Sequence, residues 1–360
     1  MATRVKPNDS KAEKAQGLRL WALSDGTSGM HAQCVAMANA VKRHRADASI
    51  AEFKLSPHPL LLALPWLGAW LPILPLYAAN TSDTGAGDAT TAPPPQGEFP
   101  DILITCGRRV AGLGLALCRR ARKAGVQTQH VHLQDPRLSP SLFDALVVPQ
   151  HDPARGPNVI TSTGALNRLT PDMLRRKMMD LPSRWLVRDT TPTVVVMLGG
   201  DNRRYKISAA MMDRLAQQLQ TFAASEPMRI VLLASRRSPD GLVERLSTAL
   251  ADSVVMLVAP DEPNPYPGIL GLADAVIVTS DSVNMASEAT ITGKPVLIAS
   301  WREPSAASPT GEKGRIAAFH QSMMAAQHTA PLGTELPRKR FTALDEMDEI
   351  CTRLLGILGR

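Results

Sequence analysis

Aromatic residues are scarce in this chain. Phe, Trp and Tyr make up 4% of 360 residues, which argues against a platform of stacked bases and so against single-stranded nucleic acid as a partner. Cysteine is scarce too. Cys34, Cys106, Cys118 and Cys351 are widely spaced, form no CxxC and sit in apolar or helical stretches. They read as buried thiols of a reducing compartment, not as a disulfide framework or a zinc site. Walker A, HExxH and GxSxG patterns are absent, which removes the commonest nucleotide hydrolase, metalloprotease and serine hydrolase readings. Met1 to Leu20 has no apolar core, so no secretory signal is expected there. Asp9 and Glu13 among its five basic residues weaken an organelle-targeting reading. That stretch is expected to be a frayed tail. No short-period repeat is present.

The length suits two domains better than one core. An apolar fraction of 44% and a charged fraction of 20% are those of a globular protein. The net charge of +7 is unevenly placed: residues 1–188 hold 23 basic and 14 acidic side chains, an excess of +9, and the remainder is slightly acidic. A basic half fits an anionic partner, whether a phosphate-rich substrate, lipid headgroups or nucleic acid, or it simply solvates the surface. Residues 59–76 are apolar throughout. Pro59, Pro65, Pro72 and Pro75 break any single spanning helix. Two readings stay open: a buried hydrophobic hairpin, or a segment on a bilayer interface with Trp66, Trp70 and Tyr77 at headgroup depth. The Thr-, Gly-, Ala- and Pro-rich stretch from Asn80 to Glu98 reads as a surface loop.

Elsewhere strands of about five residues alternate with helices. Leu18–Ser24, Ser49–Leu55, Asp101–Cys106, Gln127–Leu133 and Asp144–Val148 read as strands, with helices over Gly29–His44 and Val110–Lys123. The second half repeats the grammar, with strands at Val194–Leu198, Arg229–Ala234, Val254–Val258, Ala275–Thr279 and Pro295–Ala299. Helices are expected over Ser208–Phe222, up to Leu250, over Ser282–Thr292 and over 342–358. The pattern implies an α/β chain of two Rossmann-like domains facing a cleft, each a parallel sheet covered on both faces. The expected division is an acceptor-side domain at 16–188, a nucleotide-sugar domain at 189–340 and a C-terminal helix at 341–360, with the crossing at Leu181–Thr193.

Ligands of such sheets lie beyond the carboxyl ends of the strands. In the second half those positions are Gly199-Gly200-Asp201, Ser235-Arg236-Arg237 and Ser280-Asp281-Ser282. Glycines admit a phosphate to the backbone, an arginine grips it, and the helix starting near Ser282 offers free N–H groups. Together they suggest a diphosphate pocket. Tyr205 follows the glycine loop. Glu288, on the opening turns of that helix, is placed to accept the two hydroxyls of a ribose, or to be a solvent-facing carboxylate near a helix N-terminus.

Ser287-Glu288, Gly293 and Pro295 resemble the Ser-Glu-(four residues)-Gly-x-Pro signature of the nucleotide-sugar domain in two-domain (GT-B) glycosyltransferases. The model nearest in pattern is the lipid-intermediate N-acetylglucosaminyltransferase of peptidoglycan synthesis. The resemblance implies that Glu288 binds ribose and that Ser280, Asp281 and Ser282 hold the diphosphate. A wider set of strings resembles the elongated-mitochondria family, from about Leu20 to Ala299. It comprises Gly107-Arg108-Arg109, Gln134-Asp135-Pro136-Arg137, His151-Asp152, Gly164-Ala165-Leu166-Asn167, Ser235-Arg236-Arg237, Asn264-Pro265-Tyr266 and Thr279-Ser280-Asp281-Ser282. That family is named for a plant mitochondrial-fission factor and has many bacterial members described as glycosyltransferases. Its first-turn Gly-Asn-x-x-Gln is here Gly29-Met30, with Gln33 in place. Gly29, Gln33, Gly107, Arg108 and Arg109 are then expected on the acceptor side.

An inverting transfer needs a base for the acceptor hydroxyl. His31, Asp25 and Asp135 all remain candidates. His31 lies two residues after Gly29, where the peptidoglycan enzyme's glycine loop carries its His. Asp281 has no Asp-x-Asp partner, so neither a metal nor a resident cofactor is expected. The resulting expectation is a cytoplasmic glycosyltransferase, peripheral on the inner face of a membrane, moving a sugar from a uridine-linked donor to a cell-envelope lipid or oligosaccharide. A nucleotide-sugar epimerase or hydrolase, and a non-catalytic membrane-remodelling adaptor of the same fold, are the alternatives.

Overall fold

The computed structural model describes residues 17–57, 67, 77–79, 94–95, 97–186, 189–202, 206–251, 253–257, 265–303, 305 and 308–360. The frayed-tail reading, the apolar run (apart from Leu67), most of the 80–98 loop, Tyr205 and Asn264 fall outside these residues.

The first sheet contains β1 (Arg19–Ser24), β2 (Ser49–Pro57), β3 (Tyr77–Ala79), β4 (Ile102–Cys106), β5 (Gln129–Leu133), β6 (Ala145–Pro149) and β7 (Val159–Ser162). Its order is β3-β2-β1-β4-β5-β6-β7, parallel except for β3, which pairs antiparallel with β2. The second sheet contains β8 (Thr193–Leu198), β9 (Arg229–Ala234), β10 (Val254–Leu257), β11 (Ala275–Thr279), β12 (Val296–Ala299) and β13 (Ala330–Pro331), in the order β10-β9-β8-β11-β12-β13. Both begin at a central strand and reverse beside it. That is the doubly wound arrangement, with a crevice at the reversal.

Nine helices are described: α1 (Ser28–His44), α2 (Arg108–Lys123), α3 (Pro171–Met179), α4 (Ala209–Ala223), α5 (Leu242–Ala249), α6 (Tyr266–Leu272), α7 (Val283–Thr290), α8 (Gly314–Ala325) and α9 (Met347–Leu358). The inner strands are buried on both faces, which is why β4, β8, β11 and β12 read as unbroken apolar runs. One face of the first sheet packs Leu20, Ile102, Val131 and Val147 against Met37, Val41 and α9; the other packs Trp21, Phe53 and Leu103 against Val110, Leu113 and Leu117 of α2. The second sheet likewise has a core on each face.

Packing changes allegiance between Leu166, in the first core, and Leu169, in the second. Leu174, Leu181 and Trp185 are also in the second core. The expected boundary at 188/189 and crossing at Leu181–Thr193 therefore come too late. Short α3, with Thr170 accepting from the Met173 N–H at 3.1 Å as its cap, already belongs to the second unit. The chain then returns. α9 lays Ile350, Leu354 and Leu358 on the first domain's core, so the C-terminal helix is part of that domain. Glu346, at its start, accepts the Thr163 and Gly164 N–H groups at 2.9–3.1 Å.

Candidate functional site in the interdomain cleft

The N-termini of α1 and α7 approach each other from opposite domains. A Cβ on Gly29 would lie 2.6 Å from Asn284 Nδ2, so any larger residue there would displace the Asn284 amide. Behind it, Gln33 Nε2 reaches Asn284 Oδ1 at 3.5 Å and Gln33 Oε1 accepts from Gln134 Nε2 at 3.2 Å. A cavity of about 530 Å³ opens beside this bridge. Gly26, Gly29, His31, Glu52 and Lys54 line it from the first domain, and Arg236, Tyr266, Asn284 and Glu288 from the second.

His31 is in the first turn of α1. Successive residues of β2 face opposite ways, so Ile50, Glu52 and Lys54 share one face. Ile50 packs toward the core under α1 and Glu52 meets His31 one step further along. His31 Nε2 lies 2.9 Å from Glu52 Oε2, and Nδ1 lies 3.1 Å from Ser24 Oγ. A carboxylate only accepts, so Nε2 carries the proton and Ser24 donates to Nδ1. Burial holds His31 below its ordinary pKa despite the opposing pull of Glu52. The imidazole is therefore neutral, and its basic nitrogen is already occupied by Ser24, which is itself fully buried. The solvent-reachable acceptor of this pair is the Glu52 carboxylate.

The other two base candidates are held elsewhere. Asp25 accepts the Thr27 N–H at 3.0 Å and pairs with Arg109 at 3.3 Å. Asp135 accepts the Arg137 N–H at 2.8 Å and faces Arg315 at 3.6 Å. Both side chains are largely buried, and neither lines the large cavity. Gly107, with φ +87°, starts α2, and Arg108 is exposed there. The three acceptor-side residues from 107 to 109 thus form a turn brace beside the cleft.

The strand ends of the second domain converge as expected, but half of them face inward. Asp281 is buried and accepts from the Gly200 N–H (3.0 Å), Thr279 Oγ1 (2.7 Å), Trp301 Nε1 (2.9 Å) and Arg237 Nη2 (3.1 Å). A Cβ on Gly199 would strike that carboxylate, and one on Gly200 the Arg237 carbonyl. Ser280 donates to buried Glu312 at 2.8 Å. Asp201 holds Lys206 and the Ile207 N–H. Ser280 and Asp281 therefore spend their polar atoms on the loop itself, Gly199 and Gly200 allow its close packing, and Asp201 is tied to Lys206 and the Ile207 N–H. Ser282 caps α7 by accepting the Met285 N–H at 3.3 Å. Ser235 accepts the Arg237 N–H at 3.2 Å.

Glu288 does face open space. It lies between the large cavity and a second one of about 370 Å³ lined by Met197, Leu233, Ser235, Arg236, Pro265, Tyr266 and Met285. Burial pushes its carboxyl upward, and the Tyr266 hydroxyl donates to it. An apolar slot ending at a carboxylate and an arginine, beyond the carboxyl ends of β8 and β9, can take a planar base joined to a diol and an anion.

The match to known proteins decides the family. The family model described as "Mitochondrial fission ELM1" matches residues 28–358. The chain belongs to the mitochondrial fission ELM1 family. Within it, the chain is 30% identical over 227 residues to the "Mitochondrial fission protein ELM1" of Arabidopsis thaliana, covering 55% of this chain and 51% of that one. It is 26% identical over 232 residues to "Uncharacterized protein RP120" of Rickettsia prowazekii, covering 55% and 64%. The matched segment is thus about half the length of the plant relative and under two thirds of the bacterial one. By structure, this ELM1-family chain resembles the UDP-GlcNAc 2-epimerase of Methanocaldococcus jannaschii, with TM-score 0.54, 12% identity and 95% and 99% of the two chains covered. The same enzyme in complex with UDP-GlcNAc and UDP matches with TM-score 0.50, 11% identity and 95% and 99% covered. The ELM1-family fold is GT-B-like: two Rossmann-like domains around a cleft.

Glu52, Lys54, Asn284 and Arg168 are cleft residues that sequence reading did not single out. Strand alternation placed Glu52 and Lys54 on the α1 face, and that signal was available. Nothing in the sequence around Asn284 announces its meeting with Gly29 across the domains.

Proposed function

We propose that the protein is a glycosyltransferase that binds a nucleoside-diphosphate sugar, most simply uridine-linked, in its second domain and transfers the sugar to an acceptor in the large cavity. The observation that carries this reading is Glu288. It is a carboxylate held by Tyr266 at the mouth of an apolar slot, with Arg236 beside it and the capped N-terminus of α7 about 9 Å back along the helix at 1.5 Å per residue. A nucleoside with its ribose on Glu288 would lay its phosphates at Asn284 and Arg236. Oriented N–H groups and guanidinium charge would stabilise the departing diphosphate without a metal.

His31 and Glu52 face the acceptor space. In this reading the acceptor hydroxyl's proton goes to Glu52, and His31 orients that carboxylate by its Nε2–H. This shifts the base from His31 to its partner. The acceptor is proposed to be a cell-envelope lipid or oligosaccharide. Support comes from the basic excess of residues 1–188 and from the apolar sequence at 59–76, which lies in the chain between Pro57 and Tyr77, a pair at the carboxyl end of β2 beyond Glu52 and Lys54. With it goes the proposal of a cytoplasmic, membrane-peripheral location.

Likeness in fold to UDP-GlcNAc 2-epimerases favours one second reading, epimerisation or hydrolysis of the same donor. Thermal-shift and calorimetric screening of UDP, ADP, GDP and their sugars tests the shared core of both. UDP binding that Glu288→Gln weakens about tenfold, the cost of one charge-assisted hydrogen bond, is expected. Absence of binding by every nucleotide would leave the adaptor reading. Transfer and epimerisation then separate by product: sugar on an added acceptor, or a changed free nucleotide sugar.

A further inference from the structure

Another cavity of about 370 Å³ borders the Gly29–Asn284 bridge and shares Asn284 with the large one. Met30, Gln134, His151 and Asp152 line it from the first domain, and Arg237, Asp281, Ser282, Asn284 and Arg315 from the second. It contains residues of three sequence strings, Gln134-Asp135-Pro136-Arg137, His151-Asp152 and Ser235-Arg236-Arg237, to which composition alone gave no common purpose.

Two features indicate what it would hold. The first is charge. Arg237 is paired with Asp281 at 3.1 Å, and Arg315 with Asp152 at 2.8 Å and Asp135 at 3.6 Å. The two guanidiniums already face three carboxylates, so these side chains carry no surplus positive charge for a carboxylate on a sugar. It is instead rich in alternating donors and acceptors: the amides of Gln134 and Asn284, the Asp152 carboxylate and the Arg315 guanidinium. Such a set recognises hydroxyl groups. The second is strain. Gln134 has φ +72°, a left-handed conformation that costs a non-glycine residue energy. It is held there by its N–H on the Val147 carbonyl at 2.7 Å and its side chain on Gln33. The chain tolerates a glutamine where a glycine would fit more easily, and that side chain lines the cavity.

Resting on the nucleotide-diphosphate reading above, we propose that this chamber is the glycosyl subsite, and that it selects a neutral sugar over one bearing a carboxylate. The order along α7 fits. The base slot ends at Met285 and Glu288, and the chamber begins at Ser282 to Asn284, so a donor laid along the helix brings its sugar here. The acceptor then enters by the larger cavity, where His31 and Glu52 are, and the two substrates meet at the Gly29–Asn284 bridge.

The test is calorimetry on the full chain with UDP, UDP-glucose and UDP-glucuronate, in the wild type and in Gln134→Gly. Gln134→Gly keeps the left-handed backbone and removes only the side chain. The expected result is unchanged UDP affinity in Gln134→Gly, which also certifies its fold, with UDP-glucose affinity reduced about tenfold. UDP-glucuronate binds the wild type at least about tenfold more weakly than UDP-glucose, one like-charge contact being sufficient. Equal loss of UDP and UDP-glucose in Gln134→Gly, or preference for UDP-glucuronate, would overturn the proposal while leaving the nucleotide site standing. Failure of UDP to bind the wild type would remove both.

Discussion

Asp281 holds four separate pieces of chain: the glycine loop after β8, the end of β11, Trp301 after β12 and Arg237 after β9. A buried carboxylate with four donors is a structural hub, and removing it strands those donors. Asp281→Ala should lower stability by about 3–5 kcal/mol without any ligand, measured by urea unfolding. A stable variant that had lost only nucleotide binding would return Asp281 to the ligand. Glu288→Gln should behave in the opposite way, sparing stability and weakening UDP. The buried histidines set a second prediction. Burial alone lowers His130 to about 3, and burial, helped by His130, also holds His132 well below its ordinary value; both reach Thr105 Oγ1, at 2.8 and 2.6 Å. A depressed histidine is neutral when folded and takes up a proton when unfolded. Its stability contribution is therefore full above the unfolded value near 6.5 and is lost progressively as pH falls below it. Each pH unit below that value costs on the order of 1.4 kcal/mol per histidine. Unfolding free energies at pH 7 and pH 5 should differ accordingly, and the gap should narrow in His130→Asn. A flat profile between those pH values would contradict the neutral, buried pair.

At the scale of elements, the sheets were legible and several connections were not. Strands such as β8 and β11 are covered on both faces, so their sequences announce them. β7 and β13 are short edge strands of four and two residues, too brief for periodicity to show. α6 starts Tyr-Pro-Gly and α8 starts at a glycine with φ +60°, sequences that read as turns until the sheet beneath them supplies the packing. α3 carried a readable Thr170-Pro171 start. It was obscured because the domain crossing was expected near Leu181. The candidate site divides in the same way. Arg236 follows β9 and Glu288 lies in the helix after β11, so their places beside the cleft can be read from their order along the chain. The His31–Glu52 pair, and the inward turn of Asp281, are tertiary facts: which side of a loop faces the core depends on Trp301 and Thr279, far away in sequence. The α7 cap belongs here too. Ser282→Ala should cost about 1 kcal/mol and, because it loosens the N-terminus on which the diphosphate is proposed to rest, should raise the dissociation constant for UDP. An unchanged constant would detach the helix start from the phosphates.

For the whole molecule, the two domains are joined by more than the crossing. α9 returns to the first core, Ser287 accepts the Ala165 N–H at 2.9 Å, and Arg315 reaches from α8 to Asp152 and Asp135. Among the described residues no helix is long and apolar enough to cross a membrane. The proposed membrane contact rests on the basic excess of residues 1–188 and on the apolar sequence at 59–76. The protein should sediment with anionic vesicles at low salt, less so at high salt and less so with Trp66→Ala plus Trp70→Ala, since each basic residue near an anionic leaflet contributes about 1 kcal/mol. Indifference to such vesicles would confine the acceptor to a soluble sugar. The claim on which the account turns is that a nucleoside diphosphate rests in the second domain between the β9 end and α7. Amide hydrogen exchange of the full chain with and without saturating UDP addresses it directly. Slowed exchange concentrated at Ser235–Ser238 and Ser282–Glu288 is the predicted result. No change, or protection confined to the first domain, would contradict it.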